Sequence, residues 1–461
     1  MTFLKQKWSY LITLVFSLAW LLYNYSQLTA PVDPGDGIVH YFYSAASWEN
    51  PILFLELWNK PLFTILTSSF AQFGLGGMIF FNVLVFLLTI IFAWRILNHF
   101  QVNRYFALSF PLFLLLTQDY SNTILAGHTE PLFSLLLLAA TWFWVKEKYL
   151  VFAFLIGLLM FSRSEGQLPF LLGLMLLTYI RQWKAPLYLF APFVIFATIG
   201  WFVFDDFLWY FNRSPYHLGN SIYGAGTYDH YLMSYRNFLG NHGLFLFILA
   251  IPATILHFAK KEFTIQTCGM TFLGFGTFLG IIFAHSYFWG SGQNGSMGLT
   301  RIATQALPSF LLCQFYFLQK TPWKWPKLSN PIALGLVGIL TLYLLFTPYL
   351  KKVVKPMEVI TKEVFDANKE TLKGQKVWTS NPYFCLLLGE NYMHKTSNVR
   401  LLHFSDIQPR PLSGDYLFWD SHFGPLESGV PLENLNENNG FEVIDSKEKE
   451  NVKGFLFEIN P

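Results

Sequence analysis

The chain has 461 residues, 53% hydrophobic and 19% aromatic, and only 13% of them carry charge. Soluble domains carry roughly twice that charge, so a water-surrounded globule is excluded. A net charge of +3, with the cations scattered in pairs at the ends of apolar stretches, offers no footing for a nucleic acid. Cys268, Cys313 and Cys385 stand too far apart to form a disulfide framework or a metal-ligand spacing.

The apolar residues come in long runs, at about 8–28, 74–94, 105–117, 131–145, 149–162, 168–180, 186–204, 243–259, 266–285, 302–318 and 330–348. Eleven such runs predict a polytopic α-helical membrane protein, although several are shorter than the ~20 residues a helix needs to cross the hydrocarbon core. The first run follows Lys5 and Lys7 but is too long for a signal h-region, and no small-x-small site follows it. It reads as an uncleaved first span. With a cytoplasmic N-terminus, the inner loops hold Lys5/Lys7, Arg95/Arg104, Lys146/Lys148, Arg181/Lys184, Lys260/Lys261 and Lys320/Lys324/Lys327. The outer loops hold only isolated cations: Lys60, Arg163, Arg213, Arg236 and Arg301. Cations concentrated inside set this orientation. The loops 29–73, 118–130, 163–167, 205–242 and 286–301 and the tail from 351 then face outward.

The tail changes character, as Asn, Glu, Lys and Pro become common and the long apolar runs stop. Gln375–Thr379, Asp415–Trp419, Phe441–Ile444 and Gly454–Ile459 alternate as strands do, and Pro356–Thr371 fits a helix. The expected organisation is a transmembrane domain over 1–350, carrying the outer loop 29–73, and a small α/β extracytoplasmic domain over 351–461. The absence of an internal repeat weighs against a transporter built on inverted repeats.

Chemistry-bearing residues gather in the outer loops. Pro31-Val32-Asp33-Pro34-Gly35-Asp36-Gly37 puts two carboxylates in a turn just beyond the first span. A carboxylate held there can take a proton from an acceptor hydroxyl, and the same turn can equally be a plain cap for the helix that follows. His40, Glu49, Glu56 and Asn59-Lys60-Pro61 come next, and the aromatic-rich stretch His40–Trp58 reads as amphipathic helices along the outer interface. His128 and Glu130, in Gly127-His128-Thr129-Glu130-Pro131, open a span from outside, where the helix dipole favours an anion. In Ser162-Arg163-Ser164-Glu165-Gly166, Arg163 either grips a phosphate or pairs with Glu165 to close the turn. The glycine-rich loop 290–298 leads to Arg301, a second candidate phosphate ligand or a simple interface anchor. The loop 205–242 concentrates aromatics, among them Tyr216, with His217, and reads either as a sugar-stacking surface or as an interface belt.

A first span, an acidic motif opening the first outer loop, interfacial helices and the Lys60-Pro61-Leu62 element together resemble the GT-C glycosyltransferases. Protein O-mannosyltransferases and the aminoarabinose transferases of lipid A are the most similar. The Thr129-Glu130-Pro131-Leu132-Phe133 element is similar to one in the eukaryotic glycolipid mannosyltransferases. The resemblance implies a polyprenyl-phosphate sugar donor, a first-loop acid as catalytic base and a Lys-Pro element at the active site. Where that family often has Asp-Glu, this chain has Asp33-Pro-Gly-Asp36; Asp36, which abuts the helix, is the first choice of base and Asp33 the second.

The mechanism so implied has Asp36 deprotonate an acceptor hydroxyl, which displaces the lipid phosphate from a hexose such as mannose with inversion. Arg163 and Arg301, joined by Lys60 and His40, hold the leaving phosphate, while Glu165 and the His128–Glu130 pair contribute to substrate binding. No metal or other cofactor is expected. The partners are the lipid-linked donor, a lipid, glycan or protein acceptor, and membrane lipids. The setting is expected to be a bacterial inner membrane with the site facing the periplasm. A flippase, a lipid-diphosphate-dependent polymerase and a non-catalytic membrane subunit are the rival functions. The rarity of charge at span centres disfavours the flippase. Asp415–Gly424 contains a Ser421-His422 pair that superficially suggests a hydrolase, but adjacency in sequence does not build a triad.

Overall fold

A computed structural model describes residues 2–215, 223–260, 263–294, 296–320, 330–346, 354–402, 415–436 and 440–460. Tyr216 and His217 of the aromatic loop, Gly295, and Lys261, Lys324, Lys327 and Lys351 lie outside the described residues. Two compact units emerge. The first comprises residues 1–27, 54–66 and 78–351; the second comprises 28–53, 67–77 and 352–461.

The first unit is helical. Each of the eleven apolar runs holds a helix, from Thr2–Ser26 at the start to Asn330–Phe346. Among the described residues, Gly74–His99, Ala185–Phe204, Gly240–Ala259 and Ile265–Ser291 are long and apolar enough to cross a membrane singly. Arg104–Leu116, Tyr149–Ser162 and Asn330–Phe346 are apolar but shorter. The run at 131–145 belongs to a bent pair: Gln118–Leu125 and Glu130–Val145 meet at 108° across a short break. Large apolar side chains cover the outer faces, for example Phe202, 83% exposed. In water each such residue would forfeit ~1.5–3 kcal/mol of possible burial; against lipid nothing is forfeited. Inside, the helices join through ring packing and indole donors. Phe161 stacks on Phe196 with centroids 4.1 Å apart, Trp20 Nε1 donates to the Leu344 carbonyl at 3.1 Å, and Trp144 Nε1 donates to Ile265 at 3.0 Å.

The second unit is α/β. Its strands are β1 (Val377–Thr379), β2 (Val399–Leu401), β3 (Tyr416–Asp420), β4 (Phe441–Lys449) and β5 (Val452–Ile459), in the order β2-β1-β3-β5-β4. β1 runs parallel to β2 and β3, β5 runs antiparallel to β3, and β4 closes a hairpin on β5 with a bulge at Val443/Asp445. The helix Pro356–Leu372 matches the sequence reading to one residue. Sequence patterning missed β2, a three-residue strand too short to show alternation, and the helix Pro382–Leu388 that leads to it. Phe384 of that helix stacks on Phe418 of β3 at 4.0 Å.

The stretch His40–Trp58, expected as amphipathic helices along the outer interface, contains the end of the helix Asp36–Ala46 and the 3-10 turn Pro51–Leu55, and Ile38 and Phe42 of that helix are buried in the core of the second unit with Val364, Phe384 and Leu456. Its apolar face is satisfied by protein, and Asn391 Nδ2 donates to the Phe42 carbonyl at 3.0 Å. Residues 28–53 and 67–77 therefore fold with the tail.

Candidate active site

The first unit gathers charge in one place. Arg163 lies at the end of the helix Tyr149–Ser162 in extended conformation (φ −160°, ψ 152°), followed by a single 3-10 turn, Ser164–Gly166. Gly166 folds back so tightly that a β-carbon there would overlap the backbone of Leu159, so glycine is the residue this turn demands. The turn aims Arg163 and Glu165 the same way. Arg163 Nε donates to Glu165 Oε2 at 3.2 Å, and Arg163 Nη2 donates to Oε1 at 3.0 Å, a two-pronged pair.

Arg163 also reaches the bent helix pair. Its Nη1 lies 2.9 Å from Glu130 Oε1 and donates to Thr129 Oγ1 at 2.7 Å. Glu130 begins the second arm of that pair, just ahead of Pro131, which is well suited to a first helical turn because it needs no amide partner. The non-helical break holds Gly127, in the left-handed region at φ 76°, and His128. Asn82 Nδ2 donates to the carbonyls of His128 at 2.8 Å and Thr123 at 3.4 Å. Irregular backbone at membrane depth persists only when such groups are satisfied by protein.

Two more cations complete the cluster. Arg301 Nε lies 3.4 Å from Glu130 Oε1, and its neighbour Thr300 donates to Asp119 Oδ2 at 2.6 Å. Lys60 is 7% exposed and sits in the left-handed region at φ 69°, uncommon for a residue with a side chain. That backbone turn aims its ammonium inward, where Nζ donates to the Leu57 carbonyl at 3.0 Å and to Ser164 Oγ at 3.1 Å. Burial pushes Lys60 down to about 7, against the pull of Glu165 and with the repulsion of Arg163. Burial alone would raise the Glu165 carboxyl, but Arg163 and His285 outweigh it and hold the group well below the usual carboxylate range.

His285 and Asp119 are members that sequence reasoning missed. His285 Nε2 lies 3.4 Å from Glu165 Oε1. It was counted as the end of an apolar span, and a five-residue π-turn at Phe272–Gly276 precedes it. The extra residue of such a turn rotates everything after it by about 100°, so simple helical periodicity misplaces this side chain. Asp119 carried the same signal as Glu130, a lone acid at the end of an apolar run. Among the described residues, no group of three His, Cys, Asp or Glu is placed to hold a metal ion.

Of the residues singled out in sequence, Lys60, Glu130, Arg163, Glu165 and Arg301 come together, with His128 two positions before Glu130. Asp33, Asp36 and His40 lie in the second unit. There Asp33 Oδ1 accepts from the Gly35 amide at 2.8 Å, forming a tight turn, and Asp36 begins the helix that buries His40. Asp33 and Asp36 are themselves only half-buried.

No protein-family model and no curated protein matches the chain. Among solved structures it is similar to ArnT from Cupriavidus metallidurans in the apo state, with a TM-score of 0.64 over 97% of each chain at 9% identity. The fold is of the GT-C type. At that identity the likeness speaks for architecture alone. GT-C architecture accounts for the many apolar helices together with the small sheet domain.

Proposed function

We propose that this GT-C protein is an integral membrane glycosyltransferase that moves a sugar from a polyprenyl-phosphate donor to an acceptor hydroxyl, with inversion at the anomeric carbon. A hexose of the mannose type and an outward, periplasmic site are the finer parts of the reading. The observation that carries it is the cluster of Lys60, Arg163 and Arg301 around Glu130 and Glu165, at the ends of apolar helices. Burying several charges there costs several kcal/mol per ion before pairing, and buried, mutually perturbed ionisable groups of this kind mark functional-site candidates.

Within the cluster the cations divide the work. Arg163 spends its fork on Glu165 and its remaining nitrogen on Glu130 and Thr129, so it organises the carboxylates. Arg301 is the most exposed of the three, at 21% against 12% for Arg163, and is the better ligand for a lipid phosphate. Lys60 adds a charge that an approaching phosphate draws out by raising its proton affinity. As the base, Asp36 is the first choice and Asp33 the second. A displaced lipid monophosphate leaves with less charge than a nucleotide diphosphate, so charge-assisted contacts can stabilise it.

The test is donor consumption by purified protein in detergent with a polyprenyl-phosphate hexose. Sugar transfer is expected, and Asp36→Asn should abolish it while the unfolding midpoint stays unchanged. Full activity in that variant would remove Asp36 from the mechanism. Movement of the lipid across a vesicle without sugar release would identify a flippase instead.

A further inference from the structure

The tail domain carries a built turn whose purpose the reaction above leaves open. The sheet order places β2 on one side of β1 and β3 on the other, and β5 pairs with the far edge of β3. Chain connections thus diverge between the carboxyl ends of β1 and β3, where α/β sheets commonly place functional groups. Asp420 closes β3 at this point and is 1% exposed. Its Oδ1 accepts from the amides of His422 and Phe423, both at 2.8 Å. Its Oδ2 accepts from Asn381 Nδ2, just past β1, at 2.9 Å. Asn381 Oδ1 in turn accepts from the Phe384 amide at 2.9 Å.

The product of this arrangement is a fixed Phe423. Its ring meets that of His422 edge-on at 4.8 Å and lies against the first outer loop. A β-carbon on Gly35 would sit 3.7 Å from Phe423 Cζ and 3.4 Å from Asp33 Oδ1. The ring therefore stands beside the one residue in Asp33-Pro-Gly-Asp36 that has no side chain, between the two aspartates, at a spacing where an added methyl group would make ordinary van der Waals contact.

We propose that Asp420 is a positioning residue for the proposed base: it locks the 420–423 turn, and Phe423 braces the Asp33–Asp36 turn in its working geometry. This rests on the assignment of the base to that turn. Asp420 touches neither donor nor acceptor. A side-chain misplacement of about 1 Å at a reacting centre can cost on the order of a hundredfold in rate, which is the scale on which such a brace acts.

The experiment uses the full-length protein in detergent, a polyprenyl-phosphate hexose donor, and separate measurement of kcat, donor KM and the unfolding midpoint. Phe423→Ala removes a half-buried ring, and kcat should fall at least roughly tenfold with donor KM and midpoint unchanged. Asp420→Asn sets an amide donor against the Asn381 amide donor and should lower kcat likewise. The reciprocal pair Asn381→Asp with Asp420→Asn restores an acceptor opposite a donor, keeps both backbone acceptors, and should recover kcat. Wild-type kcat in Phe423→Ala overturns the proposal even if Asp420→Asn fails to fold. So does an Asp420→Asn defect that the reciprocal pair leaves uncorrected. Asp33→Asn and Asp36→Asn separate the two levels: if both keep full activity, the base assignment fails and the brace with it. If either is inactive while Phe423→Ala is wild type, the brace alone fails.

Discussion

Glu130 is the residue on which the charge cluster turns. It is 1% exposed and lies within ion-pair distance of both Arg163 and Arg301. Removing one member of a buried set strands its partners, which typically costs about 3–5 kcal/mol. Glu130→Ala should therefore lower the unfolding midpoint in detergent substantially; an unchanged midpoint would show that the arginines are already solvated. Lys60 makes the complementary prediction about pH. Its ammonium sits near 7, so the charge is present below that value and lost as pH rises through it. Donor affinity, read as KM against pH, should weaken across that interval, and Lys60→Met should weaken binding at low pH and flatten the profile. A profile that keeps its slope in Lys60→Met assigns the titration to another group.

At the scale of elements, the site depends on interruptions in helices. Arg163 and Glu165 share a turn because the helix Tyr149–Ser162 stops and Gly166 folds back on it. Glu130 faces them because the pair Gln118–Leu125 and Glu130–Val145 bends by 108°. His285 joins because a π-turn precedes its helix. Gly166→Ala would force backbone apart at Leu159, and overpacking of this kind costs about 1–3 kcal/mol. Both transfer activity and thermal stability should fall, and a stable, active Gly166→Ala protein would mean that the turn opens without moving Arg163. Sequence could place these elements but not their bends. The eleven runs, the acids at their outer ends and the tail helix were legible because apolar periodicity and charge placement are local properties. The bend at Gly127 and the π-turn depend on what packs against them, and for that reason His285 went unnoticed, whereas Asp119 carried the same local signal as Glu130.

At the scale of the molecule, each unit holds itself together by different means. The second unit ties the first outer loop to the tail through Ile38 and Phe42 and through Glu49, which accepts from the Lys395 amide at 3.1 Å and pairs with His394 Nδ1. The hydrogen bonds from His394 and Lys395 hold the Glu49 carboxyl below its ordinary range. A carboxylate depressed by folding adds stability above its unfolded value and loses it as pH falls through the folded one. Amide protection factors around residues 47–50 and 393–396, corrected for intrinsic exchange, should thus fall as pH drops below the ordinary carboxylate range, and Glu49→Gln should show the reduced protection at neutral pH. Protection indifferent to both would leave the tie to the apolar contacts and the Asn391–Phe42 hydrogen bond.

From composition and patterning alone came the membrane class, the helix positions, the α/β tail and most of the charged residues of the site. Such properties follow from transfer free energies and periodicity, which act on neighbours along the chain. Tertiary structure decided which charges meet, because Lys60, Glu130, Arg163, His285 and Arg301 are brought together across five stretches of chain by helix breaks that no local pattern encodes. It also placed the Asp33–Asp36 turn beside Phe423. The apolar face of Asp36–Ala46 is as compatible with lipid as with protein, and only the presence of a matching core at Val364, Phe384 and Leu456 settles which of the two covers it.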